Sequence, residues 1–231
     1  DPSIKPLMNL WREAKKETRL PTEGELARAA ELVNLSNVRV EEAAGSVSFA
    51  RDGMALDFGA IAKGYAVDRA IDILKSHGVT SAIVDAGGNF YALGTPEDKP
   101  QWEAGIRHPL RREEVIIRFP ISDRAVATSG SYERFFEIGG KKYSHIINPR
   151  TGRPVEGMPS ATIIAEDAMT ADALSTAVFV LGPEEGMRLV ERMPALEGVL
   201  IAHEPGSPEN FNISVSAGLK DTIELLLPAT E

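Results

Sequence analysis

Apolar and polar positions along this chain repeat with two different periods, and the switches between them mark its elements. "PTEGELARAAELV" repeats at helical spacing behind a capping pair, Thr22 and Glu25. "AIAKGYAVDRAIDILKSHG" predicts a stronger amphipathic helix, with Ile61, Ala62, Tyr65, Ala66, Ala70, Ile73 and Leu74 on one face and Gly78 as its stop. "AMTADALSTAVFVLG", residues 168–182, predicts a helix that is nearly all core, and Pro183 begins another, "PEEGMRLVERM". Between the helices, two-residue alternation and short apolar runs predict strands. "SVSFARDGMALDFG" reads as a hairpin turning at Asp52-Gly53, and "SAIVDAGGNFYALG" as a buried strand broken by Gly87-Gly88. "WEAGIRHP", "EVIIRFPIS" and "AVATSG" read as further strands, and "FFEIGGKKYSHIINP" as a hairpin turning at Gly139-Gly140. "SATIIAED", "GVLIAHE" and "FNISVSAG" complete the set. Hairpins outnumber strand–helix–strand units, so the predicted class is α+β. No repeat, low-complexity segment or linker divides the chain.

Composition narrows the function classes. A length of 231 residues with 43% hydrophobic and 26% charged residues supports a full core. A net charge of -9 argues against a broad nucleic-acid-binding surface. The chain has no cysteine, which excludes disulfides, thiolate metal sites and cysteine nucleophiles. No apolar run approaches the roughly 20 residues of a membrane span, and no signal peptide is visible. The opening "DPSIKPLMNLW" reads as the interior of a domain, so the expectation is a processed or truncated product.

Several constellations carry candidate chemistry. Asp172 and Thr176 stand four apart on the apolar helix, and so share one face, with Ser175 beside them. Such oxygens suit Mg²⁺ or Ca²⁺; the ordinary alternative is a threonine bonded to its own helix carbonyl and an aspartate capping a neighbour. In "DFGAIAKGYA", Asp57 and Gly59 are expected to end a strand just before a helix whose first amides attract anions, and Lys63 lies one turn in, in reach of a phosphate. An N-capping Asp57 with a solvated Lys63 fits equally well. "GAIAKG" lacks the spacing of a Walker A loop. "DAGGN", 85–89, and "ATSGSY", 127–132, read either as close backbone approaches to a ligand or as plain turns. Among four histidines, His145 stands out, at a strand end before the turn begun by Pro149.

"LDFGAIAKGYAVD", "VDAGGN", "VATSGSYERFF", "YSHIINPRTGRPV" and "DALSTAVFVLG", in this order and spacing, resemble the ApbE family of flavin transferases, and "DPSIKPLMNLW" is similar to that family's D-x-T-V-G-P-L-x-x-L-W segment. The resemblance implies an ApbE-like α+β fold related to the tunnelling fold, with two similar subdomains and mixed, mostly antiparallel sheets with flanking helices. It implies that residues 1–231 form a single domain. The family carries a further N-terminal segment with an export signal, a first strand pair and flavin contacts, and Asp1 falls where that FAD-contacting segment ends. The implied activity is Mg²⁺-dependent transfer of FMN from FAD to a threonine hydroxyl of an acceptor flavoprotein, with AMP leaving. An FAD pyrophosphatase giving FMN and AMP, or a non-catalytic FAD-binding protein, are the alternatives. By resemblance, Asp172, Thr176 and the Ala60 carbonyl hold Mg²⁺, with Ser175 an occasional further ligand. Asp57, Lys63 and Asp1 contact FAD, and His145 lies at the reacting phosphate as FAD contact and general base. Implied acceptors are subunits of sodium-pumping NADH:quinone reductases or Rnf-type complexes. The implied location is the periplasm or the outer face of the cytoplasmic membrane, with a lipid anchor on the precursor.

Overall fold

The computed structural model describes residues 1–111, 113–131, 135–204 and 206–226. In chain order it contains α1 (Lys5–Lys16), α2 (Glu23–Ala30), β1 (Val38–Glu41), β2 (Ser46–Phe49) and α3 (Ala62–Ser76). Six strands follow: β3 (Ala82–Asp85), β4 (Phe90–Leu93), β5 (Trp102–Arg107), β6 (Val115–Ile121), β7 (Arg124–Gly130) and β8 (Phe135–Ile138). The remainder is β9 (Lys141–Ser144), β10 (Ser160–Ala165), α4 (Ala168–Glu191), β11 (Glu197–Glu204), β12 (Ser207–Val215) and β13 (Glu224–Leu225). Among the described residues every strand pairing is antiparallel. The chain forms two compact units, Asp1–Gly59 with Arg134–Glu156, and Ala60–Glu133 with Gly157–Glu231.

The first unit packs Leu7 and Trp11 of α1 against Leu26 of α2, Ile138 of β8 and Ile147. Thr22 and Glu25 make the expected capping box, each side chain bonding the other's backbone N–H. The Arg19 guanidinium and the Thr22 donors together pull the Glu25 carboxyl down to about 2. β8 and β9 form the expected hairpin, with Gly139 at φ 59° and Gly140 at φ 78°. A two-residue turn positive at both positions suits glycine and matches the twist of the strands. The hairpin expected at Asp52-Gly53 is displaced. β2 pairs backward with β1, Val38 opposite Phe49 and Val40 opposite Val47, because β1 offers a matching apolar row. Gly53 does turn the chain, but residues 54–59 join no strand. They are tied instead to the chain start, where the Asp57 N–H donates to the Pro2 carbonyl at 2.8 Å.

The second unit is built on a six-stranded sheet in the order β12-β11-β10-β7-β4-β3 and a three-stranded sheet β13-β6-β5. Ile117, Phe119, Val126, Ile164, Val199 and Ile201 belong to the core the two sheets share. α3 and α4 also pack on the six-stranded sheet, so all six residues of its inner strand β10 are buried. That double burial explains why "SATIIA" is an apolar run rather than an alternation. The segment expected as one broken strand is a hairpin, β3 and β4, turning over 86–89. α4 continues past Gly182, whose positive φ (φ 83°, ψ 179°), a conformation open mainly to glycine, breaks it where the sequence placed the boundary before Pro183.

α3 ends as expected, Gly78 and Val79 returning N–H bonds to Lys75 and Leu74. Its buried face differs from the expected one. Gly64, Val67 and Ile71 are buried, whereas Tyr65 and Ile73 are 57% and 56% exposed. A Cβ on Gly64 would lie 2.1 Å from the Ala168 carbonyl oxygen, so the helix turns its bare backbone, not its largest side chains, onto the start of α4. Asp68 fixes that crossing by accepting the Ala168 and Met169 N–H groups at 2.7 and 2.9 Å, a carboxylate on a helix N-terminus.

Candidate active site

The crossing of α3 and α4 delivers the polar groups of the second unit to one place. Asp172 is 3% exposed. One of its carboxylate oxygens accepts the Gly64 N–H at 3.0 Å, and the other accepts the Asn89 side-chain amide at 2.6 Å. The Lys63 ammonium is 3.9 Å from the same carboxylate, beyond hydrogen-bond length. One face of the helix start is therefore already met by the protein's own carboxylate, at an amide that the sequence reading had offered to an external anion.

One turn along α4, hydroxyls gather. Ser175 Oγ donates to the Asp172 carbonyl at 2.9 Å, and Thr176 Oγ1 leans on the same carbonyl at 3.4 Å. Ser129 of β7 lies 2.9 Å from Ser175 Oγ and 3.1 Å from Thr176 Oγ1. The hydroxyl–carbonyl bond foreseen as the ordinary alternative is thus present. A hydroxyl that gives its proton to a carbonyl still keeps lone pairs for a cation, so the bond does not remove Thr176 as a ligand. Residues 127–130, read both as the end of the strand "AVATSG" and as part of a hydroxyl-rich loop, are the end of β7, so Thr128 and Ser129 face opposite sides and, of the two, Ser129 meets α4. Tyr132 of that motif lies outside the described residues.

These groups fit a hard divalent cation. Each Asp172 oxygen carries one hydrogen bond and keeps further lone-pair capacity, and its hydrogen-bonding partners are neutral donors that leave its charge in place. Among the described residues no three His, Cys, Asp or Glu side chains form a metal-ligand group. A cation at Asp172 would lean on hydroxyl and carbonyl oxygens and on substrate phosphate, as Mg²⁺ commonly does. Ala60, the expected carbonyl ligand, is half-buried in the same unit two residues before α3.

The remaining expected residues belong to the first unit. Asp57 neither ends a strand nor caps α3, whose N-cap is Ile61 with no side-chain bond. It accepts the Gly59 N–H at 2.9 Å and pairs with Lys5 at 2.6 Å. Burial pushes its carboxyl up, but the Lys5 bond and charge, the Gly59 N–H and the Arg12 charge together outweigh that and hold it below the usual range. Asp1 caps the first turn of the chain, accepting the Ser3 N–H and hydroxyl at 2.8 and 2.7 Å. His145 is half-buried just past β9, in a segment anchored on both sides. Ser144 Oγ accepts the Ile146 N–H, Val155 bonds back to Ile146, and Trp11 donates to the Gly152 carbonyl at 2.7 Å. His108 is structural: its Nδ1 accepts the Leu110 and Arg111 N–H groups, and burial, with the Arg111 charge, lowers its pKa.

Sequence reasoning missed Asn89 and Ser129 as site residues. Their quoted motifs flagged the stretches, but nothing local to a glycine turn or a strand end shows that one side chain reaches Asp172, 83 residues on, and the other the hydroxyls of α4.

The sequence profile of the ApbE family matches residues 1–200. The chain belongs to the ApbE family. Among ApbE relatives, it is 33% identical over 241 residues to the FAD:protein FMN transferase of Treponema pallidum, covering 98% of this chain and 65% of that protein. It is 33% identical over 201 residues to a Klebsiella pneumoniae protein of the same name, covering 86% and 62%. The chain therefore spans less than two thirds of the length of these curated ApbE relatives. The crystal structure of the ApbE protein of Thermotoga maritima matches with a TM-score of 0.85 at 35% identity, over 96% of this chain and 71% of that one. The apo flavinyl transferase ApbE of Pseudomonas stutzeri matches at 0.79 and 30%, over 96% and 68%. The α+β class read from the sequence is the fold of these ApbE structures.

Proposed function

We propose that this chain catalyses Mg²⁺-dependent transfer of FMN from FAD to a threonine hydroxyl of an acceptor flavoprotein, releasing AMP. The observation that carries the reading is Asp172, a nearly buried carboxylate hydrogen-bonded to neutral donors, with three hydroxyls gathered at its backbone carbonyl one turn along α4. The names of the relatives, FAD:protein FMN transferase and flavinyl transferase, support the same reaction.

In this reading Asp172, Thr176 and the Ala60 carbonyl would hold the ion, with Ser129 orienting Thr176 and Ser175 holding Ser129. An ion held by these residues would supply charge neutralisation for the pyrophosphate that is cleaved. Lys63, beside Asp172 and partly exposed, binds a phosphate oxygen. Asp57 and Asp1 contact FAD. His145 removes the proton of the acceptor threonine, which is a poor nucleophile until a base acts on it. The new bond joins threonine oxygen to the FMN phosphorus, and the bond from that phosphorus to the AMP oxygen breaks.

Residues 1–231 act as one ApbE-like domain, and the acceptors are flavin-carrying subunits of sodium-pumping NADH:quinone reductases or Rnf-type complexes. The work is done in the periplasm or at the outer face of the cytoplasmic membrane, with a lipid anchor on the precursor. Among the described residues no helix is long and apolar enough to cross a membrane. The test is incubation with FAD, Mg²⁺ and a threonine-containing acceptor, following AMP release and acceptor mass. An FMN adduct on the acceptor is expected. AMP and free FMN without an adduct would make the protein a pyrophosphatase, and FAD binding without AMP a flavin binder.

A further inference from the structure

We propose that Asn89 is a positioning residue for the Asp172 carboxylate, and that its amide oxygen accepts a hydrogen bond from water carried by the bound cation. This rests on the reading that Asp172 holds a divalent ion.

Asn89 closes the β3–β4 turn and is 1% exposed. A primary amide buried this fully destabilises the fold unless its polar atoms are used. Its nitrogen is used, donating to Asp172 at 2.6 Å. Its oxygen is not: Asn89 Oδ1 is among the few buried side-chain atoms without a partner in the described residues. The amide orientation is fixed by chemistry. Turning it over would set its oxygen against a carboxylate oxygen, two acceptors with no proton between them. The carbonyl is therefore necessarily the atom left over.

The chain is shaped to hold this side chain. Gly87 and Gly88 take φ 66° and 89°, which only glycine adopts readily. The Gly88 N–H bonds to Asp85 at 2.7 Å, and the Ala86 N–H to the Asn89 carbonyl at 2.8 Å. Asn89 thus approaches one oxygen of Asp172 while the Gly64 N–H holds the other. With both oxygens held, the carboxylate cannot rotate, and its remaining lone pairs point in a fixed direction. A lysine or arginine at this position would add a second positive charge to that of Lys63, 3.9 Å from the same carboxylate oxygen, and repel a divalent ion. A neutral amide orients it and leaves its charge. Mg²⁺ keeps several waters, and these need outer acceptors. The orphaned Asn89 carbonyl is one.

The test is Mn²⁺ binding to the full chain by titration calorimetry, for the wild type, Asn89→Leu, Asn89→Ser and Asp172→Asn, with thermal melts in EDTA. A purely structural amide would lower the melting temperature and leave the affinity of the folded protein alone. The proposal expects Kd to rise about 10- to 100-fold in the Asn89 variants that fold. Asn89 variants binding within about twofold of wild type, while Asp172→Asn loses binding, overturn the proposal and leave the Asp172 site standing. Wild-type affinity in Asp172→Asn overturns both. A measurement needing no variant is the Asn89 side-chain amide signal in nitrogen-15 NMR of the wild type. It should shift on adding Mg²⁺, and an unmoved signal at saturating Mg²⁺ overturns the proposal.

Discussion

Asp172 and Asp57 are two carboxylates expected at one chemistry, and their surroundings differ in kind. Asp172 is 3% exposed and held by an amide side chain and a backbone N–H, with its nearest ammonium 3.9 Å away. The Asp57 side chain is 20% exposed and has Lys5 at 2.6 Å. A carboxylate already matched by a lysine has little charge left to offer a metal. One kept out of water and hydrogen-bonded by neutral donors, with its nearest ammonium beyond hydrogen-bond length, is matched less closely by the protein's own cations, and a desolvated charge attracts a cation far more strongly than one in water. The pairing thus separates the proposed ligand, Asp172, from Asp57, which the protein's own lysine already matches.

The sharpest way to break that contrast is to delete each carboxylate. Asp172→Ala should abolish Mg²⁺-dependent AMP release from FAD while the protein still folds. Asp57→Asn should keep cleavage and alter FAD affinity. Equal losses in AMP release assays would erase the distinction. His145 provides the next largest effect. A general base, the role proposed for it, is worth about 10² to 10⁴ in rate, so His145→Ala should slow FMN transfer by that order with little change in FAD binding. His145→Asn can bond a phosphate but cannot take a proton. Near wild-type transfer by the Asn variant, measured by acceptor mass over time, would make His145 a positioning donor.

Two stability measurements follow. Gly64→Ala should cost about 1–3 kcal/mol or more in denaturant unfolding, because its Cβ would meet backbone and not a movable side chain. It should also weaken metal binding by disturbing the N–H that holds Asp172. Lys5→Met should cost at most about 1 kcal/mol, since the pair is partly solvated. The Asp57 carboxyl is lowered in the fold, so its contribution is complete above the ordinary aspartate range and lost as pH falls through the folded value. The gap between Lys5→Met and wild type should therefore be largest at neutral pH and close in acid. A gap that widens in acid would contradict the assigned pairing.

What could be read from the sequence was mostly local. The capping box at Thr22, the turn at Gly139-Gly140, the stop at Gly78 and the break before Pro183 each depend on neighbouring residues, and each is present. The i,i+4 pair Asp172 and Thr176 was legible for the same reason. Long-range choices were not. The buried face of α3 is selected by Gly64 fitting beneath Ala168, more than a hundred residues away, so ranking side chains by size chose the wrong face. The strand pairing of β2 depended on β1 supplying a matching row upstream. Asn89 read as part of a glycine turn because its partner is distant in sequence.

The central claim is that Asp172 itself binds the cation that FAD cleavage requires, and changing the softness of that one ligand tests it most directly. The chain has no cysteine, so Asp172→Cys introduces a unique thiolate. Hard Mg²⁺ binds thiolate poorly, whereas Cd²⁺ binds it well. AMP release from FAD by Asp172→Cys should be lost in Mg²⁺ and restored by Cd²⁺. Cleavage by that variant at the wild-type rate in Mg²⁺ alone would contradict the account.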